Sequence, residues 1–249
     1  WYPLSGAADD RPHLNPGSCG VSRLCHEPRV ALAVLEGMLA PYVSSGQLRV
    51  LLEHRPIDAE ITRDRVDTVR VENQRTGDSL HLVAPYFVDA TELGSLLPLT
   101  GTEYVTGAES REQTGELHAA PEYQPHNMQA MTWCFALDFR PGEDHTIERP
   151  DNYGFWRNYV PDLDPPWPGT QLSLTYSNPR TLKPRTLAFE PRSGRSTERY
   201  NLWQYRRLID PANFQPNTYD TGTTLVNWPQ NDYMLGNILE VSDEEAAEH

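Results

Sequence analysis

The chain carries three cysteines, Cys19, Cys25 and Cys134, and no Cys-x-x-Cys. So few, and an odd number, give no disulfide framework and fit a reducing compartment; the missing motif argues against a thiol–disulfide reductase mechanism. Cys19, Cys25 and His26 lack a second ligand pair at the spacing zinc sites use, so no metal site is expected. Positive charge is also scarce: 21 Lys and Arg stand against 35 Asp and Glu, for a formal net charge of −14. A phosphate backbone or an anionic membrane surface is therefore an unfavourable partner. No apolar run approaches the roughly 20 residues of a transmembrane helix. The first ten residues lack the basic and apolar regions of a signal peptide, and a cytoplasmic protein is expected.

What is present is globular. Hydrophobic residues make up 38% and aromatic residues 10% of 249, enough for a sizeable core in one or two domains. The 22 prolines favour turns and loops over long helices. Both ends read as cut. Trp1 is not an initiator Met, and Ser242-Asp243-Glu244-Glu245 is a helix-starting box with only four residues after it. The expectation is a fragment, itself inactive, with residues 241–249 as the start of a truncated helix.

Residues 1–20 are loop-like, punctuated by Pro3, Pro12, Pro16, Gly6, Gly17 and Gly20. A helix is expected over 28–42: Pro28 suits the first helical position, and Val30, Val34, Leu35, Met38, Leu39 and Tyr42 recur at helical spacing, an apolar face for packing on a sheet. Arg23, His26 and Arg29 near its start are candidates for an anion, or for local ion pairs. A strand at Leu48-Arg49-Val50-Leu51-Leu52 should follow, then a β-meander of Ile57 to Ile61, Val66 to Val71 and Leu80 to Val83, with Arg75-Thr76-Gly77-Asp78 turning between the last two.

The most informative stretch is Tyr86-Phe87-Val88-Asp89-Ala90-Thr91-Glu92-Leu93-Gly94-Ser95-Leu96-Leu97. It reads as a short buried strand that stops in a small-residue turn. Gly94 supplies a position without Cβ, where a turn needs positive φ or a ligand needs room. Ligands gather at the carboxyl ends of strands in sheets flanked by helices. The plainer reading is a strand exit capped by Asp89 and Thr91.

This stretch resembles the C-terminal nucleotide-contacting motif of bacterial FAD-dependent oxidoreductases with the glutathione-reductase type of flavin fold. There a strand ending Asp-Ala-Thr-Gly-x-Gly-x-Leu returns to the cofactor; here Glu92 replaces the first glycine, and Ser95 stands where an acidic residue is usual. The resemblance implies an α/β fold: a partial FAD-binding three-layer domain over 1–100, with a parallel sheet and β-meander, then a mainly β substrate domain over 101–240. It implies FAD as cofactor, with Asp89, Ala90, Thr91, Glu92 and Gly94 at the flavin nucleotide and Glu53, His54 and Arg55 passing near the adenine. Such folds open with a strand and Gly-x-Gly-x-x-Gly, which receives the pyrophosphate at a helix N-terminus. No such sequence occurs in this chain, so a matching segment is expected upstream of Trp1.

Beyond Gly101, β-like pieces are expected at Ala130 to Phe139, Phe155 to Val160, Leu172 to Tyr176, Leu187 to Glu190 and Tyr200 to Ile209, separated by proline-stiffened loops such as Asn178 to Pro184. Trp133, Trp156, Trp167, Trp203 and Trp228 are expected in the core, and Cys134 as a buried apolar cysteine. In Asn227-Trp228-Pro229-Gln230-Asn231-Asp232-Tyr233, the residues Asn227, Trp228, Asn231 and Asp232 are substrate-binding candidates; the alternative is an Asx-turn network that shapes the loop. The function expected is oxidation or reduction of a small organic substrate through the flavin, with no catalytic nucleophile or base identifiable. The alternative is a β-rich, carbohydrate-binding module using Trp and Tyr platforms without catalysis. A metal hydrolase built from His118, His126 and His145 has no motif behind it.

Overall fold

The computed structural model describes residues 3–191, 200–239 and 241–249, and for Asp243 the backbone alone. In chain order the elements are α1 (Gly6–Asp9), α2 (Pro28–Ser44), β1 (His54–Thr62), β2 (Arg65–Asn73), β3 (Ser79–Val83), α3 (Leu96–Thr100) and α4 (Arg111–Thr114). There follow β4 (Met131–Thr132), β5 (Phe135–Asp138), α5 (Tyr153–Asn158), β6 (Thr175–Ser177) and β7 (Pro184–Thr186). The chain closes with α6 (Leu202–Tyr205), β8 (Arg207–Ile209), β9 (Thr223–Val226), β10 (Asp232–Tyr233) and α7 (Asp243–Glu248). Contacts divide it into two compact units, Trp1–Met38 with Ala130–Gly236, and Leu39–Gln129 with Asn237–His249. Residues 1–38 thus group with the later part of the chain, a different cut from the functional boundary expected at residue 100.

The first unit is built around residues 201–226. Leu202 and Trp203 are 2% and 4% exposed, and Ile209, Phe214 and Val226 join them with Leu187 and Ala188. Phe139 and Phe189 meet the Trp203 ring edge-on at 6.4 and 5.9 Å, the geometry aromatic quadrupoles favour. The loop-like N-terminal segment is pinned onto this core: the N–H groups of Ser5, Gly20 and Val21 donate to the carbonyls of Asn213, Gln204 and Tyr205, and Asp210 N–H donates to Pro16 O. Gly17 is required there, because a Cβ would lie 1.8 Å from Arg207 O. Beneath it Arg207 and Asp210 form an ion pair at 2.8 Å, their side chains 1% and 2% exposed, and Arg207 Nε donates to Gly17 O. Burial holds the Arg207 guanidinium below its ordinary value, with Asp210 opposing that shift.

Sheets in this unit are small and antiparallel: β5-β9-β8, β4 with β10, and β6 with β7. Several expectations are corrected. Tyr200 to Ile209 is not all strand: Leu202–Tyr205 is the helix α6. Phe155 to Val160 is not strand: Tyr153–Asn158 is the helix α5. Phe155 and Tyr159, four apart, stack at 5.5 Å, the spacing that puts side chains on one helical face. Cys134 is exposed rather than buried, and Trp133 beside it is exposed too. Both precede β5, an edge strand of its sheet, so one flank there lacks a covering neighbour. Pro184 belongs to β7 rather than a loop, an edge position where a missing N–H is tolerated.

The second unit is built on the expected meander. β1-β2-β3 is an antiparallel sheet with Val69 and Val71 of the central strand buried. The β2–β3 turn forms where Arg75-Thr76-Gly77-Asp78 indicates: Asn73 Oδ1 accepts from the N–H groups of Arg75 and Thr76, and Gly77 has φ +76°. Ser242 caps α7 by accepting from Glu245 N–H at 3.2 Å.

The strands expected beside the meander do not form. Residues 48–52 and 86–89 are irregular, and every pairing of strands among the described residues is antiparallel. Pro85 brings no N–H to continue the β3 ladder, and Tyr86 and Val88 are each 87% exposed. α2 forms over Pro28–Ser44 as its spacing indicates, but no residue of it is buried. Its apolar face was expected on a sheet; without a strand at 48–52 that layer is missing among the described residues. Pro41 does not end the helix. Gly46 at φ +76° makes the exit.

Candidate functional site

A cavity of about 870 Å³ lies within the second unit, in the range of small-molecule and cofactor sites. One wall is Arg55, Pro56 and Ile57 at the start of β1; another is Leu93, Gly94, Ser95 and Leu97, the turn into α3. Two segments singled out in the sequence, 53–55 and 89–94, therefore meet at one site. Arg55 and Gly94 are the members that line it. Pro98, Leu99, Tyr104, Val105, Thr106 and Leu239 complete it, and of these sequence reasoning named none: apolar spacing alone does not separate a cavity wall from a core face.

Asp89 and Thr91 act one step back. Asp89 Oδ1 accepts from Thr91 N–H at 2.8 Å and Oδ2 from Leu96 N–H at 2.8 Å, while Thr91 Oγ1 accepts from Ser95 N–H at 2.7 Å. The carboxylate thus ties residue 91 to the first residue of α3 and satisfies N–H groups that a helix start leaves open. Hydrogen bonds from the Thr91 and then the Leu96 N–H hold the Asp89 carboxyl below its usual range. This is the capping arrangement, and it sets the path of the turn bordering the cavity. Gly94 sits at φ +64°, a left-handed conformation natural to glycine. Ala90, Thr91 and Glu92 are exposed.

The 53–55 segment is shaped by a second irregularity. Glu53 has φ +59°, its carbonyl accepts from Gln74 N–H at 2.7 Å, and its carboxylate pairs with Arg75 at 2.5 Å. His54 Nδ1 lies 2.7 Å from Leu52 O. Arg55 reaches Glu72 only at 3.7 Å, a surface pairing of little strength, so its guanidinium can turn to a stronger anion.

The three residues near the α2 start have local partners. Arg29 pairs with Glu27 at 2.7 Å and donates to Tyr219 OH at 3.0 Å, and Glu27 first, then Tyr219, raises its already high value. Arg23 lies 2.6 Å from His13 Nε2, and His26 Nδ1 contacts Leu24 O. The local-pair reading describes Arg29. Among the described residues no group of three or more His, Cys, Asp or Glu could hold a metal ion.

In the first unit, the 227–233 loop is an amide-built turn. Asn231 Oδ1 accepts from Trp228 N–H at 2.8 Å and Asn231 Nδ2 donates to Trp133 O at 2.5 Å. Asp232 Oδ1 accepts from Thr132 Oγ1 at 2.6 Å, and Asn227 is half-buried at the end of β9. Asn231 and Asp232 thus hold the loop to the β4 strand. Gln171 Nε2 donates to the carbonyls of Asp232 and Pro229 at 2.5 and 3.3 Å. Gln171 Oε1, Gln230 Oε1 and Trp228 Nε1 are buried without a hydrogen-bond partner, two acceptors and a donor of the kind a polar guest or an ordered water satisfies. Gln171 carried no signal in the sequence, since an isolated amide between loops looks like any other.

No helix among the described residues is long and apolar enough to cross a membrane. No curated protein and no solved structure matched the chain. A family model described as FAD dependent oxidoreductase matches residues 5–249. The match takes in both units and carries with it an oxidoreductase class and FAD as cofactor, in place of the binding-module alternative. The chain belongs to the FAD dependent oxidoreductase family.

Proposed function

We propose that the protein oxidises or reduces a small organic substrate by hydride or electron transfer through FAD, and that the cavity bordered by Arg55 and Gly94 is part of the FAD cradle. The observation that carries the proposal is the convergence of Arg55 and the turn at Leu93, Gly94 and Ser95 on one cavity of about 870 Å³. The residues fit such a group. Leu93, Leu97 and Val105 offer apolar walls for a ring, Gly94 lets a ligand approach the backbone, and Arg55 offers a planar donor fork suited to phosphate. Glu53 and His54 set the backbone course beside Arg55, on the adenine side. Asp89, Ala90, Thr91 and Glu92 form the turn, with Asp89 and Thr91 fixing its shape. FAD, when bound, supplies the redox chemistry, and the chain supplies position and polarity around it.

In this reading the nucleotide-contacting part ends near residue 100 and the part that covers the substrate runs on to residue 240, in a flavin fold whose sheet is parallel. Trp228, Asn227, Asn231 and Asp232 form the substrate-side loop, with the buried amide oxygens of Gln171 and Gln230 as acceptors. A cytoplasmic setting is part of the same proposal. Residues 1–249 hold no Gly-x-Gly-x-x-Gly, so weak FAD retention and no turnover are expected of this stretch alone, and the test uses the intact protein. Purified without added cofactor, it should show a flavin absorption spectrum that survives gel filtration. Arg55→Ala should lower the FAD-to-protein ratio, and Arg65→Ala, on the far end of the meander, should not. Equal ratios in the two variants would remove the cavity from the proposal.

A further inference from the structure

Cys19 and Cys25 belong to the N-terminal segment of the first unit, and neither lines the proposed cofactor cavity. Their sulfurs are 2.7 Å apart, and five residues separate them in sequence. Both are free thiols, Cys19 buried and Cys25 half-buried. The backbone around Cys19 is fixed on all sides. Asn15 Oδ1 accepts from Cys19 N–H at 2.6 Å, and Asn15 Nδ2 donates to Cys19 O at 3.3 Å. Gly20 and Val21 are tied to Gln204 and Tyr205 at 3.0 and 2.9 Å, and the Cys19 thiol reaches Tyr205 O at 3.0 Å. The Cys19 side of this contact is thus held by a framework that does not depend on a bond between the two sulfurs. Cys19 also lines a cleft of about 450 Å³ with Arg11, His13 and Arg23, and the charges of the two arginines attract an anionic small molecule.

We propose that Cys19 and Cys25 are a reversible dithiol–disulfide site, oxidised by thiol–disulfide exchange with a small anionic disulfide such as oxidised glutathione. The Cys19 thiolate attacks one sulfur of the small disulfide, forming a mixed disulfide and releasing one small thiolate. The Cys25 sulfur, losing its proton, then attacks the Cys19 sulfur, closing the Cys19–Cys25 bond and releasing the second. The balance is one protein dithiol and one small disulfide giving one protein disulfide and two small thiols, with two electrons passing to the small disulfide. Burial first, and Cys19 next, push the Cys25 thiol up to about 12, which disfavours it as the first attacking thiolate. The absence of Cys-x-x-Cys had hidden the pair, because the close approach is made by the fold and not by a two-residue spacing.

The molecule contains its own control. Cys134 is exposed and remote in sequence, so it reports whether the reagent has acted. Arg23 lies between the two cysteines, so trypsin cuts the reduced chain there and separates them. The intact protein is treated with graded oxidised and reduced glutathione, digested without reduction and mapped by mass. Once Cys134 carries its glutathione adduct, the fragment ending at Arg23 should be joined to Leu24–Arg29, two hydrogens lighter than their sum, and dithiothreitol should part them. Cys19 and Cys25 remaining as free thiols, or ending as two separate glutathione adducts, would overturn the proposal.

Discussion

Gly94→Ala tests the cofactor cradle at one atom. The residue sits at φ +64°, and its added Cβ would meet only the Leu97 side chain, Cδ1 at 3.0 Å and Cγ at 3.6 Å. That atom is the end of a flexible side chain, so the packing cost is small and the cost that remains is conformational. A non-glycine residue in the left-handed region costs about 1–2 kcal/mol. Without FAD the turn relieves this strain by shifting; with FAD seated it must hold its path, so the strain is taken from binding. The dissociation constant should rise about five- to thirtyfold, as 1–2 kcal/mol requires. Gly77→Ala is the matched control. Gly77 has φ +76°, with nothing within 4 Å of the added atom, and lies in the β2–β3 turn of the same unit. It carries the same backbone strain away from the cavity. Flavin-fluorescence titration of the apoprotein forms of the intact wild type and both variants gives the constants. If both variants bind FAD equally weakly, or Gly94→Ala binds like wild type, the reasoning fails.

Asp210→Asn should leave the Arg207 charge buried without its carboxylate, destabilising the first unit by about 3–5 kcal/mol, read as a lowered urea midpoint by tryptophan fluorescence; a loss below about 1 kcal/mol would mean the pair is solvated. Asp89 should titrate below the ordinary carboxylate range. Its folded value is depressed, so its hold on the turn is present above the unfolded value and lost as pH falls through the folded one. The Leu96 amide proton shift followed by NMR should report that step, and a midpoint at or above the ordinary aspartate value would contradict it. Trp203→Ala, at a ring that is 4% exposed, should cost about 3–5 kcal/mol and lower the thermal midpoint, whereas Trp133→Ala should shift it little. Gln171→Leu should raise the KM of the substrate once one is known while leaving FAD retention unchanged; a change confined to FAD retention would refute the substrate-side assignment of the 227–233 loop.

What could be read from the sequence was what local chemistry decides. The meander was legible because Val66, Val69 and Val71 with Leu80 and Leu82 carry strand propensity, and Asn73 to Asp78 contain a complete turn grammar. The α2 helix was legible from its spacing, and the Ser242 cap from one hydroxyl and one N–H three residues on. What failed depended on a neighbour. A run such as Tyr86 to Val88 is a strand only if another strand lies beside it, and Leu48 to Leu52 likewise. The apolar flanks of Cys134, Trp133 and Phe135, cannot tell an edge strand from a central one. α5 failed for another reason: Phe155, Trp156 and Tyr159 are aromatic enough for a strand, and only the four-residue spacing of Phe155 and Tyr159 marks the helix.

The Asp89 turn shows why a motif and its mechanism are separate questions. Asp-Ala-Thr drew attention as a place where a cofactor is touched, and the chain does belong to an FAD dependent family. Yet both Asp89 oxygens are engaged by backbone N–H groups, and Thr91 Oγ1 by a third. A carboxylate with its acceptors so engaged orients the chain before it meets any ligand. The small residues around it serve that geometry: Gly94 takes the left-handed conformation, and Ser95 gives its N–H to Thr91. The element that reaches the cavity is the backbone these side chains bend, together with Leu93 and Leu97 on either side. Glu92 is exposed, and the turn that carries it is fixed by Asp89 and Thr91.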